Sequence, residues 1–162
     1  DKAGALALLA DTDCDQRAAV LAAFEAEFAD HQDGNIIDTW FTVQAICSIG
    51  GAPAARARLE ELMAHKCFTI TNPNKVRAVW AALSTKPSVL YTPEVLDLLG
   101  DTICEVDQNN PNLASSLLKM LQAWRQLPPA LKEDAKRVLQ RALDRDGCSK
   151  NAGEIASVAL AE

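Results

Sequence analysis

The sequence predicts an all-α fold, built from antiparallel helix pairs stacked into a solenoid. Three observations point there. Hydrophobic residues make up 49% of the 162 positions while aromatics are only 5%, so Ala and Leu carry the apolar content. Such side chains lose little rotamer freedom in a helix. Asn72-Pro73, Thr92-Pro93 and Asn110-Pro111 each place a side-chain acceptor before a proline, the pairing that opens a helix. The apolar residues after these signals recur at helical spacing.

Taken in order, an Ala- and Leu-rich stretch over 3–10 predicts a first helix. Val20, Leu21, Phe24 and Phe28 mark a second, beginning near Asp13 or Asp15 and covering about 14–30. The turn Asp33-Gly34-Asn35 precedes Ile36, Ile37, Trp40, Val43 and Ile46, a helix over 35–49. Gly50-Gly51 ends it, and Pro53 opens the next, carrying Leu59, Leu62 and Met63 over 53–65. Asn72-Pro73 starts a helix over 73–84. Leu96, Leu99, Ile103 and Val106 then define one face of a helix over 93–108, and Leu113, Leu117, Leu121 and Trp124 one over 111–126. Pro128-Pro129 precedes Leu131, Ala135, Val138, Ala142 and Leu143 over 129–146, and a last helix is expected over 150–161. Cys67-Phe68-Thr69-Ile70 is too short to read as a strand.

Eight or nine helices result, joined by short loops, so neighbours in sequence should pair antiparallel in space. Pairs recurring every ~35–40 residues suit an α-solenoid of the armadillo/HEAT sort. A closed bundle is the alternative. The length fits one domain over 1–162.

Charge and composition exclude several classes. A net charge of −6 argues against nucleic acid as a partner, since phosphate binding needs a basic face. No apolar run approaches the ~20 residues of a membrane span. The opening Asp1-Lys2-Ala3-Gly4 lacks the features of a signal peptide, and the first residue is not Met, so the chain is expected to be an excised piece of a longer protein. The five cysteines are odd in number and widely spaced, which reads as free thiols of a cytoplasmic protein.

Catalytic chemistry is not legible. A helical zinc site of the H-E-x-x-H kind needs two histidines four apart with a glutamate as base. His31 and His65 are the two histidines present, and neither stands in that pattern. No catalytic residue and no metal ligand is therefore assigned. His65 and Cys67 lie two apart in a helix tail and would not face each other as a nucleophilic pair. Glycine-rich phosphate loops and the G-x-S-x-G elbow are absent. The carboxylates, among them Glu25, Glu27, Asp30, Glu60, Glu61, Asp144 and Asp146, read as solvated helix faces. Trp40, Trp80 and Trp124 sit inside apolar periods and read as core, with a stacking platform for ligand as the lesser alternative.

One stretch is more specific. Phe68-Thr69-Ile70-Thr71-Asn72-Pro73-Asn74-Lys75-Val76-Arg77 resembles the F-[TS]-[LMI]-x-N-P-N-[RK]-[VI]-R segment in the C-terminal domain of aminopeptidase N enzymes, the bacterial-type M1-family zinc metallopeptidases. Asp38-Thr39-Trp40-Phe41-Thr42-Val43-Gln44-Ala45 resembles that family's D-K-W-F-x-[LV]-Q-A, and Asp107-Gln108-Asn109-Asn110-Pro111 its [LV]-[DN]-x-x-N-P. The resemblance covers essentially the whole chain. It implies the last domain of a peptidase whose zinc, G-A-M-E-N and H-E-x-x-H-x18-E motifs lie in an upstream catalytic domain. That domain and peptide substrates are then the partners, and this one caps it and helps form the internal substrate cavity. By the resemblance Arg77 faces the cavity, with Asn74 beside it, while Asn72, Pro73, Asn110 and Pro111 are structural caps. A structural ion pair is the competing role for Arg77. The family's second cavity arginine corresponds to Ser116, and Thr92-Pro93-Glu94 replaces the family's D-G-S-G-Y-x-F loop, departures that suggest a divergent, eukaryotic-like branch. A free-standing helical-repeat scaffold that binds a protein partner is the alternative to the cap.

Overall fold

The computed structural model describes residues 2–161; Asp1 and Glu162, the ends of the expected domain, lie outside the described residues. The described residues form α-helices and 3-10 turns and contain no strand. They gather into two compact units, one up to Val89 and one from Leu90 onward.

The first unit holds α1 (Lys2–Ala10), α2 (Gln16–Phe28), α3 (Asn35–Ala45), α4 (Gly51–Met63) and α5 (Pro73–Trp80), then a 3-10 helix, Ala81–Thr85. α3 is its hub and packs against α1, α2, α4 and α5. Ile37, Phe41, Leu59, Val76, Trp80 and Leu83 are fully buried there. Gly50 (φ 81°) and Gly51 (φ 69°) form the turn into α4 in a left-handed backbone that other residues resist. A side chain on Gly50 would also meet the Ala54 methyl at 2.6 Å. Trp40 donates its indole N–H to the Leu21 carbonyl at 2.8 Å, joining α2 to α3.

A four-residue helix, α6 (Pro87–Leu90), falls at the division. The second unit continues with α7 (Pro93–Asp107), α8 (Pro111–Lys119), a 3-10 helix Gln122–Gln126, α9 (Pro129–Asp144) and α10 (Lys150–Ala161). α7 packs on α8 and α9, and α10 on the same two. Leu96, Leu99, Ile103, Leu113, Leu117 and Leu118 fill its core. At its far end Trp124 and Arg125 donate to the Ala159 carbonyl at 3.0 and 2.6 Å, and Arg125 also to that of Leu160 at 2.8 Å. They satisfy carbonyls that the last turn of α10 leaves open.

The proline starts at 73, 93, 111 and 129 fall where the sequence places them. Asn72 accepts from the Asn74 N–H and Asn110 from the Leu113 N–H, both at 3.0 Å. Thr92 has the extended backbone of an N-cap, but its hydroxyl makes no capping bond to α7. Other ends differ. α3 stops at Ala45 and α4 opens at Gly51, two residues before Pro53. α5 and α8 are shorter than expected, each passing into a 3-10 turn around a buried tryptophan, Trp80 or Trp124. The apolar period continues through these turns while the hydrogen-bond spacing tightens. The three tryptophans are core residues, 8%, 0% and 8% exposed at Trp40, Trp80 and Trp124.

Candidate functional site

α5 is eight residues long, and its start is rigidly set. Pro73 holds φ for the first turn and the Asn72 side chain takes the Asn74 N–H. Lys75, Val76, Val79 and Trp80 consequently turn inward, and Asn74 and Arg77, three residues apart, share the outer face.

The inward lysine is the unexpected feature. Lys75 is 8% exposed. Its ammonium pairs with the Asp38 carboxylate on α3, donates to the Gly34 carbonyl at 2.7 Å, and lies 5.9 Å from the centre of the Phe41 ring. Thr42 on α3 donates its hydroxyl to the Ala78 carbonyl at 3.0 Å. These bonds hold α3 and α5 side by side.

Between the two helices runs a shallow open groove of about 470 Å³, lined by Asn35, Asp38, Thr39, Thr42, Asn74, Arg77 and Ala78. One cation, Arg77, and one carboxylate, Asp38, line it, and the carboxylate is bound to the buried Lys75. The Arg77 side chain is exposed and makes no ion pair or hydrogen bond with any other described residue, while its backbone carbonyl accepts from the Ala81 N–H. Arg17, Arg58, Arg125, Arg137, Arg141 and Arg145, by contrast, are each bonded within the fold. The groove thus presents one uncompensated guanidinium beside amide and hydroxyl groups. It suits an anionic or carbonyl-rich ligand. Sequence reasoning singled out Arg77 and Asn74 of the groove's lining residues, and did not single out Asn35, Asp38, Thr39 or Thr42. Their signal was present, since Asp38, Thr39 and Thr42 belong to the landmark that contains Trp40.

Ser116 on α8 is exposed, and its hydroxyl donates to the Asn112 carbonyl at 2.9 Å. Asn110 and Pro111 hold the start of that helix and belong to the second unit, as caps rather than groove residues.

The histidines do not fit a zinc site. The His65 ring is held between Trp40 and Phe41, its Nδ1 accepting from the Cys67 N–H at 3.1 Å and its Nε2 bonded to Glu25 at 3.0 Å. His31 Nδ1 accepts from the Asp33 N–H at 3.1 Å. Among the described residues no three His, Cys, Asp or Glu side chains come together as a metal-binding group. No described helix is long and apolar enough to cross a membrane.

The described residues are helical repeats, and the groove between α3 and α5 presents one open guanidinium. Residues 1–161 match the family profile described as Domain of unknown function (DUF3458_C) ARM repeats, and the chain belongs to that family. It is similar to Aminopeptidase N of Caulobacter vibrioides, 34% identical over 128 residues, covering 77% of this chain and 14% of that protein. Aminopeptidase N of Escherichia coli is 26% identical over 136 residues, covering 81% and 15%. Among solved structures, Legionella pneumophila aminopeptidase A in complex with aspartic acid superposes with a TM-score of 0.87 at 25% identity, covering 98% of this chain and 18% of that one. The chain therefore spans less than a fifth of the length of these relatives and corresponds to their C-terminal domain.

Proposed function

We propose that the whole chain, residues 1–162, is the cap domain of a zinc-dependent aminopeptidase of the M1 family. The parent enzyme removes N-terminal residues from peptides in cytoplasmic peptide catabolism. Its zinc and reacting groups lie in an upstream domain of the same polypeptide. This domain closes over that one and helps form an internal substrate cavity, with Arg77 and Asn74 turned toward the peptide, and it engages neither nucleic acid nor membrane. The five free cysteines accord with a reducing compartment.

One observation carries the reading: Arg77 is exposed on a groove whose one carboxylate is already taken by Lys75. A structural arginine would be bonded within the fold, as the other arginines named above are. A guanidinium left open offers a rigid fork of donors to a peptide carboxylate or backbone carbonyls. Its role is to hold substrate, far from bond cleavage.

The test is steady-state kinetics of the full-length enzyme. Arg77→Ala should raise KM for peptides several-fold and leave kcat for small aminoacyl-nitroanilides close to wild type, the pattern of lost binding. An unchanged peptide KM would remove Arg77 from the cavity.

A further inference from the structure

The first two helices carry an apolar outer surface that the rest of the described chain leaves uncovered. α1 buries Leu6 and Ala10, yet from Ala3 to Ala10 it has no polar side chain at all. Leu8, on the side away from Leu6 and Ala10, is 77% exposed. A helix that is apolar all round is normally covered on both sides. α2 repeats the pattern. Leu21 is its one buried residue, while Ala19, Ala22, Ala23 and Ala26, spaced as one helix face, are exposed, and Val20 is 41% exposed. Leu8 and Val20 are two of the three large hydrophobic residues exposed among those described. In a helical-repeat protein the terminal pair needs a polar outer face to end the stack in water. On this first pair the exposed polar side chains are Lys2, Gln16 and Glu27, and two of these, Lys2 and Glu27, pair with each other at 3.2 Å.

We infer that the outer surface of α1 and α2, centred on Leu8, is an intramolecular docking face covered by the upstream part of the parent polypeptide. The inference rests on the reading of the chain as a C-terminal domain, and it names the surface through which that domain is held. The occupant follows from chain length. This chain accounts for 14–18% of its relatives. In such a parent the larger part of the polypeptide precedes α1 and is tethered to it. A tethered partner acts at high effective concentration, so even a modest apolar face remains covered.

The test is thiol labelling of the full-length enzyme carrying Leu8→Cys, read by peptide mapping so that the five native cysteines do not interfere. The native rate is compared with that of the same enzyme unfolded in urea. The inference expects native labelling slower by about tenfold or more and independent of protein concentration. Labelling slowed by less than that overturns it. Protection that weakens on dilution also overturns it, because a second copy would then be the cover. Hydroxyl-radical footprinting of the unsubstituted Leu8 gives the same comparison should the variant fold poorly. Aminopeptidase activity is assayed on the same sample. Activity with an open Leu8 sinks the docking face alone, and a protected Leu8 without activity sinks the functional reading alone.

Discussion

Lys75 on α5 and Asp38 on α3 form an ion pair that joins the two most distinctive stretches of the sequence, with side chains 10% and 18% exposed. Removing one partner strands the other charge where water reaches it poorly. Lys75→Ala should therefore destabilise the chain by about 2 kcal/mol, and Lys75→Met by less, since Met keeps the packing. Arg77→Ala, two residues along, breaks no bond and should stay within about 0.5 kcal/mol of wild type. Urea unfolding of the variants checks the contrast. A large loss at Arg77 would revive the structural ion pair as its role.

Asp107 should be the most sensitive carboxylate of the second unit. Its side chain is 2% exposed, pairs with Arg145 at 2.5 Å, and accepts from the Ser149 N–H at 2.9 Å and the Ser149 hydroxyl at 2.5 Å. One group thus ties the end of α7 to the turn between α9 and α10. Asp107→Ala leaves the Arg145 guanidinium without its carboxylate and the Ser149 N–H without its acceptor, and should cost about 3 kcal/mol. Asp107→Asn retains an acceptor and should cost less. A loss under half that size for the alanine variant would mean that water replaces the carboxylate.

Asp11 gives the first unit an acid-sensitive brace. Its carboxylate accepts from the Ser48 N–H and hydroxyl, both at 2.8 Å, and from Lys86 at 2.9 Å. The Ser48 backbone donor first, then Lys86, hold its pKa down at about 2. The folded value lies below the unfolded one, so this stabilisation is whole above pH ~4 and is lost as pH falls toward about 2. The gap in melting temperature between wild type and Asp11→Asn should narrow over that window. A gap independent of pH would assign the brace to hydrogen bonding without charge.

On the cap reading the zinc and reacting groups lie upstream, so the isolated chain with added zinc should not hydrolyse aminoacyl-nitroanilides. Turnover that copurifies with the pure fragment would refute the cap reading.

Much of the fold was legible because helix starts are local events. Asn72-Pro73 and Asn110-Pro111 encode a cap and a backbone angle within a few residues. Helix ends were less legible. The tightening after Trp80 and Trp124 is a response to burial among other helices, and α6 is too short to show a period. In the groove, the three-residue spacing of Asn74 and Arg77 was readable. The burial of Lys75 was not, because its partner lies 37 residues away and lysine is ordinarily exposed.

The Asn72–Pro73 start also sets the phase of everything after it. Each residue turns a helix by roughly 100°. One amino acid inserted between Pro73 and Lys75 would rotate the remainder of α5 by that angle. Lys75 would leave Asp38 and Arg77 would lose its place on the groove, although both residues would still be present. A point substitution removes one cation, whereas a single insertion misdirects both, so this short helix should tolerate exchanges of side chain far better than changes of length.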